Sequence, residues 1–187
     1  MAFGREYFEQ LYRANADPWD YATSDDTRAR YEHTLAALGP PLHGRTLEIG
    51  CSVGVFTQLL ATVADELVAI DLSATALASA RERAPSAELI EASFPEHAPP
   101  GHWDQIVCAD VLYYLSSAQL AQAIAWLRPQ LELGATLVVV SFLGDDGRLP
   151  LPAAIHLRLR GELAAWHVAA ERRPRYVLDK FARARVS

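Results

Sequence analysis

A chain of 187 residues with 51% hydrophobic and 21% charged side chains is long enough to bury one full core and has the balance of a soluble globular domain. Its formal net charge of −6 argues against nucleic-acid binding as the main business, because such a surface needs clustered Lys and Arg; the basic residues Arg172, Arg173, Arg175, Lys180, Arg183 and Arg185 leave room for a local patch near the C-terminus. Two cysteines, Cys51 and Cys108, are too few for a disulfide framework or a Cys-rich metal site, and their apolar strand-like surroundings read as buried thiols.

The chain opens with Arg5, Glu6, Glu9 and Arg13 rather than an apolar segment, so no signal peptide is expected. No apolar run approaches the ~20 residues of a membrane span, and a cytoplasmic protein without membrane contact is expected. The six histidines (His33, His43, His97, His102, His156, His167) show no pair at metal-ligand spacing.

Taken in order, residues 3–14 place Tyr7, Phe8, Leu11 and Tyr12 at helical spacing, and Pro18 breaks the pattern. Asp25 or Asp26 caps a second expected helix over 27–38, ended by Gly39-Pro40-Pro41. From Arg45 the pattern alternates. Strands are expected at 46–50, 66–71, 87–91, 103–110 and 135–143, with helices at 53–63, 73–84 (Ser73 as cap) and 117–131 between them. Leu137-Val138-Val139-Val140 is apolar on both faces, as a central strand covered by helices should be. After a helix at 153–161, two strands at 165–172 and 176–182 are joined too tightly to pair in parallel. The expectation is an α/β fold with a mostly parallel sheet, right-handed crossovers and a C-terminal antiparallel hairpin.

Ligands of open α/β sheets bind at the carboxyl ends of the strands. Four features fall there. Gly50 to Gly54 form a glycine-bearing turn after the first strand, where backbone can approach a ligand closely. Asp71 ends the second strand, near where a ribose-binding acid belongs, or else caps the next helix. Ser93 and Phe94 follow the third strand and offer a hydroxyl and an aromatic ring for an adenine. Ala109-Asp110-Val111-Leu112-Tyr113-Tyr114-Leu115 follows the fourth and supplies an acid and two tyrosines. A dinucleotide fingerprint, Gly-x-Gly-x-x-Gly, would require glycine at Ser52 and Val55 and is absent. Nucleophile elbow and phosphate loop are absent as well.

What is present, Glu48-x-Gly50-x-Ser52-x-Gly54, resembles the first motif of class I S-adenosylmethionine-dependent methyltransferases, and Asp71, Ser93-Phe94 and the 104–115 region follow in that family's order. A narrower resemblance, to the nodulation-type (NodS-like) small-molecule N-methyltransferases, is carried by Tyr7-Phe8, Leu11-Tyr12, Asp17-Pro18-Trp19, Arg28-x-Arg30-Tyr31, Leu47 to Cys51, Tyr113-Tyr114-Leu115 and Arg175-Tyr176-x-Leu178-Asp179-x-Phe181. The resemblance implies one Rossmann-like methyltransferase domain over 1–187. Residues 1–44 would form a helical lid of two N-terminal helices, and 45–187 a core with a mostly parallel seven-stranded sheet and helices on both faces. It implies S-adenosyl-L-methionine as cofactor, bound by Trp19, Arg30, Tyr31, Glu48, Gly50, Cys51, Gly54, Asp71, Leu72, Ser93, Phe94 and Ala109, with no metal. Ser93 departs from the family, many members of which carry an acid there to hold the adenine amino group.

Each assignment has a plainer alternative. Glu48 either reaches the cofactor's amino group or caps its own loop; Trp19 and Tyr31 either fold over the pocket or pack the N-terminal helices; Arg28 or Arg30 is either a ligand group or solvated. Asp110 and Tyr114 are the candidates for accepting or holding the acceptor's proton, and Asp110 has helix capping as its alternative. The segment 143–151, with Gly144, Gly147 and Pro150, is expected to join the lid. The implied activity is methyl transfer to a small-molecule acceptor, foremost the nitrogen of an amino sugar or related amine. O-methylation of a small metabolite and a non-catalytic cofactor-binding subunit are the alternatives.

Overall fold

The computed structural model describes residues 3–144 and 152–183. Two helices come first, α1 (Arg5–Ala14) and α2 (Asp25–Leu38). The cap of α2 is Ser24, whose hydroxyl accepts from Thr27 N–H, so Asp25 and Asp26 sit in the first turn, where acids complement the helix dipole. Gly39, at φ 86°, closes the helix in the left-handed conformation.

Seven strands follow in one sheet: β1 (Leu42–Ile49), β2 (Ala64–Asp71), β3 (Glu88–Glu91), β4 (Gln105–Ala109), β5 (Thr136–Phe142), β6 (His167–Arg172) and β7 (Tyr176–Phe181), in the order β3-β2-β1-β4-β5-β7-β6. The first five pair in parallel, and β7 pairs antiparallel with both β5 and β6. The helices between them are α3 (Val55–Leu60), α4 (Ala74–Arg83), α5 (Ser117–Glu132) and α6 (Pro152–Glu162). Two elements differ most from expectation. Strand β1 starts at Leu42 because Leu42 N–H already bonds Val63 O beside β2. Helix α3 is shorter at both ends: Gly54 at φ 83° forces its start, and Thr62 and Val63 turn back on Leu59 and Leu60.

Alternate residues of the central strands feed two cores. Leu47, Ile106, Leu137 and Val139 pack with α5 and α6, while Val107, Val138 and Val140 pack with α2 and α3. This leaves the carboxyl ends of β1 to β4 facing α1 and the α1–α2 loop. The strand order departs to opposite sides from β1, toward β2 on one side and β4 on the other, and a ligand crevice opens at such a switch point.

The hairpin is tied down by one buried carboxylate. Asp179 accepts from His156 Nδ1 (2.6 Å), Arg160 Nε (2.8 Å) and His167 Nε2 (2.7 Å), and His156 Nε2 lies 3.1 Å from Ser141 Oγ. Four elements, β5, α6, β6 and β7, thereby meet at one group. These donors hold the Asp179 carboxyl below the ordinary aspartate range despite its burial. The stabilisation is present above the unfolded aspartate pKa, near 3.9, and is lost as pH falls through the lower folded value. Asp179→Asn is expected to lower the unfolding free energy by about 3 kcal/mol at pH 7, and the gap to wild type should narrow below pH ~4. Urea melts at the two pH values check this; coincident midpoints at pH 7 would contradict it.

Candidate active site

A cavity of about 360 Å³ occupies the crevice. Strand β1 and the turn after it contribute Glu48, Gly50, Cys51 and Ser52 to its wall, and the end of β2 and the residue after it contribute Asp71 and Leu72. Ser93 and Phe94 stand at the end of β3, and Ala109, Asp110 and Tyr114 after β4. Trp19, Tyr21 and Tyr31 line it on the side of the two N-terminal helices together with Phe8 and Tyr12 of α1. Of the residues expected to bind the cofactor or act in catalysis, Arg30 and Gly54 do not reach the wall, and neither do Arg28 and Tyr113.

The turn after β1 alternates left-handed residues: Gly50 at φ 78°, Ser52 at φ 52° and Gly54 at φ 83°. A Cβ on Gly50 would lie 2.7 Å from Val111 Cγ2, so this glycine lets the β1 and β4 loops touch as well as facing the cavity. A Cβ on Gly54 would lie 2.7 Å from Ala80 Cα. Gly54 therefore serves the close approach of α4 to the turn and not the approach of a ligand.

Ser52 is the residue that must bear left-handed strain with a side chain, at a cost of roughly 1–2 kcal/mol. Two bonds hold it there. Its N–H donates to Asp71 Oδ2 (2.8 Å), and its hydroxyl accepts from Tyr12 OH (2.6 Å). Asp71 Oδ1 accepts from Ser73 N–H (2.9 Å), and Ser73 in turn caps α4 by accepting from Ala76 N–H. Asp71 thus both lines the cavity and organises the helix start. Each of its oxygens keeps a second lone pair for a hydroxyl donor.

Glu48 is 2% exposed, and its Oε2 has no hydrogen-bond partner among the described residues. Burial pushes its carboxyl up to about 8, opposed by the Thr57 hydroxyl, and the nearby Asp71 charge adds to the rise. Asp71 is pushed up by burial to about 6, against the pull of the Ser73 and Ser52 N–H groups. An orphaned carboxylate oxygen in a cavity wall is a site for a cation or other strong donor.

Arg30 is held away from the cavity by Asp110. Its Nη2 lies 2.7 Å from Asp110 Oδ2, with both side chains buried, and Asp110 Oδ1 accepts from Phe142 N–H (2.6 Å). A buried guanidinium requires a counter-charge, and Asp110, itself left-handed at φ 57°, is the one at hand. The pair fixes the β4 loop to α2 and β5. Arg28 is on the surface, paired with Asp25. Tyr114 sits among rings, edge-on to Phe8 (5.1 Å between centroids) and tilted to Trp19 (6.5 Å), while Trp19 stacks on Tyr21. Helix α1 is latched a second time by Glu9, which accepts from the Thr75 N–H and hydroxyl at the start of α4.

The sequence reading missed Tyr21, His97 and Gln119 on the wall. Tyr21 stood beside Trp19 in a loop rich in aromatics, which was the available signal; His97 and Gln119 had none. Tyr12 was readable only as an apolar helix position, not as the partner of Ser52. The expected lid segment 143–151 lies outside the described residues from 145 onward. Among the described residues, no group of three or more His, Cys, Asp or Glu is placed to hold a metal ion, and no helix is long and apolar enough to cross a membrane. Ser141, His156 and Asp179 stand in the order of a nucleophilic triad, yet the serine is 1% exposed and outside the cavity wall, so the set acts as a clamp.

Two carboxyls with raised folded values bind protons that the unfolded chain has released. Stability of the ligand-free protein should therefore fall as pH rises from about 4 through 8, by at most ~1.4 kcal/mol per pH unit for each group. Glu48→Gln should flatten the upper part of that slope in thermal melts between pH 6 and 8.5; an unchanged slope would contradict the assignment.

The sequence matches the family model of nodulation protein S (NodS) over residues 6–145. It is 27% identical over 135 residues to nodulation protein S of Azorhizobium caulinodans, covering 71% of this chain and 60% of that protein, and 29% identical over 153 residues to that of Sinorhizobium fredii, covering 79% and 65%. A trans-aconitate 2-methyltransferase of Afipia carboxidovorans is 36% identical over 105 residues, 54% of this chain and 41% of that enzyme. The chain thus spans between 41% and 65% of the length of these relatives. Among solved structures, the N-methyltransferase NodS from Bradyrhizobium japonicum WM9 in complex with S-adenosyl-L-homocysteine aligns with a TM-score of 0.79 at 25% identity, over 95% of this chain and 98% of that one. The glycine turn, the acid ending β2 and the reversed last strand are therefore those of a member of the nodulation protein S family, with the Rossmann-like fold of class I methyltransferases.

Proposed function

We propose that the chain is an S-adenosylmethionine-dependent methyltransferase acting on the nitrogen of a small amine, an amino sugar or a close analogue. Residues 1–44 serve as lid and 45–187 as core of one domain. The observation that carries the cofactor reading is the buried, unpartnered Glu48 Oε2 beside the glycine turn, one strand away from Asp71. It fits a cofactor with an ammonium group at one end and a ribose next to it. Glu48 receives the ammonium, the backbone of Gly50 and Cys51 lies against the amino-acid chain, and Asp71 accepts from ribose hydroxyls with its remaining lone pairs. Phe94, Leu72 and Ala109 supply apolar wall, and Trp19 and Tyr31 cover it.

S-adenosylmethionine, when bound, supplies an electrophilic methyl group on a sulfonium. The chain then has to position the nucleophile and exclude water. An amine must be neutral to attack. Tyr114, on the wall between the N-terminal helices and the glycine turn, is the group that touches it: its hydroxyl accepts a hydrogen bond from the amine N–H and holds the nitrogen in place, while the proton of the ammonium form leaves to solvent before attack. Asp110 is engaged by Arg30 and Phe142 N–H and positions the loop that carries Tyr114.

Wall charge supports an amine over an acid. Of the wall's acids, Glu48 is taken by the cofactor's ammonium and Asp110 by Arg30, which leaves Asp71 and Glu96 facing the cavity, whereas Arg5 on the same wall is paired with Glu91. A carboxylate acceptor, as the name trans-aconitate 2-methyltransferase describes for that relative, would enter without a counter-charge. It remains the second reading, on the strength of that 36% identity. Incubation with methyl-labelled cofactor and a panel of amino sugars, other amines, phenols and carboxylic acids separates the two. Label is expected on amines, with Tyr114→Phe lowering kcat roughly tenfold, the scale of one net hydrogen bond. Asp71→Ala should weaken S-adenosylhomocysteine by more than about 1 kcal/mol. Label confined to carboxylic acids would contradict the acceptor assignment.

A further inference from the structure

Glu48 lies near the carboxyl end of β1, paired across the sheet with two apolar residues, Ala69 of β2 and Val107 of β4. Its side chain borders the cavity at 2% exposure, and its Oε2 is without a partner among the described residues. The cations of the flanking helices are committed elsewhere: Arg30 of α2 is held by Asp110, and Arg83 of α4 donates to Val53 O in the glycine turn. The groups that face Glu48 are neutral or acidic. They are the Thr57 hydroxyl of α3, the Cys51 thiol of the turn, the Tyr31 phenol of α2 and the Asp71 carboxyl of β2. Burial pushes the thiol and the phenol up, so both stay neutral around pH 7. A lone charge out of water costs more than protonating the group, so a carboxyl in such a setting keeps its proton.

We infer that Glu48 carries a proton in the empty site and gives it up to solvent when a ligand's ammonium group arrives, so that affinity for such a ligand climbs with pH. The inference rests on the cofactor reading above. The exchange balances. A neutral carboxyl and an ammonium come together, the O–H bond of Glu48 breaks, a carboxylate–ammonium pair remains, and one proton passes to water or buffer. Burial places the Glu48 carboxyl at about 8, with the Asp71 charge adding to the rise, so below that pH each bound ammonium has a proton to displace. The empty wall is thereby spared two adjacent carboxylates. Ligand-free stability falls as pH rises because this proton leaves, and ammonium affinity rises for the same reason. Asp71 and His97 also line the wall, but a nucleoside ligand meets them equally with or without an ammonium group.

Calorimetric titration of the full chain near pH 6.5, in two buffers of unlike ionisation enthalpy, counts the protons exchanged on binding. The ligands are S-adenosylhomocysteine and its desamino analogue, which keeps the carboxylate, ribose and base. Close to one more proton is expected to leave with S-adenosylhomocysteine than with the analogue. Its Kd should weaken roughly tenfold per unit between pH 7.5 and 6, while that of the analogue does not follow. Glu48→Gln should abolish the extra proton and flatten the pH dependence, with binding of the analogue showing that the variant is folded. If that variant does not fold, the wild-type comparison decides alone. Equal proton counts for the two ligands in wild type would overturn the proposal, as would an extra proton that persists in Glu48→Gln. Failure of wild type to bind S-adenosylhomocysteine at any pH would instead overturn the cofactor reading itself.

Discussion

One buried carboxylate sets the geometry on which the rest depends. Asp71 accepts a backbone N–H from Ser52 on one oxygen and from Ser73 on the other. The first bond holds a serine in the left-handed conformation that the β1 turn demands; the second fixes the cap of α4. Remove it and the turn loses the restraint on its one strained side chain while α4 loses the alignment of its first residue. The same carboxylate faces the cavity, so the group that shapes the turn is the one offered to the ligand.

The two N-terminal helices are coupled to that constraint. Helix α1 reaches the turn through Tyr12 and Ser52 and reaches the start of α4 through Glu9 and Thr75, one contact on each side of Asp71. Helix α2 is coupled to the opposite wall by Arg30 and Asp110. The cavity is therefore framed by polar bonds at the strand ends and filled out by aromatic rings between them. Buried polar bonds of this kind contribute specificity of arrangement more than net stability, since each must first offset its desolvation. Burial raises the carboxyls of both Glu48 and Asp71, because it deprives their charged forms of solvation.

What was legible in the sequence was local. Strand and helix alternation, the apolar run at 137–140, the Ser73 cap and the tight connection before β7 follow from periodicity and backbone chemistry within a few residues. Asp71 was legible as a carboxylate at a strand end beside a glycine turn, and it stands in the fold both on the cavity wall and at the start of the next helix. Contacts between distant residues were not. Arg30 and Asp110 are 80 positions apart, and a sequence shows each as a charge without its partner. Gly54 reads the same whether a ligand or Ala80 occupies the space its missing Cβ leaves. His97 was indistinguishable from five other scattered histidines until the fold placed its ring against Ser93.

The central claim is that the strand ends from β1 to β3 hold one extended ligand in a defined direction. A crystal structure of the chain with S-adenosylhomocysteine tests it most directly. The account predicts the ligand's amino group on Glu48, its ribose hydroxyls on Asp71 and its base against Phe94 and Ser93, with the Arg30–Asp110 pair intact. A ligand lying in the reverse direction, or bound with Glu48 and Asp71 untouched, would contradict it.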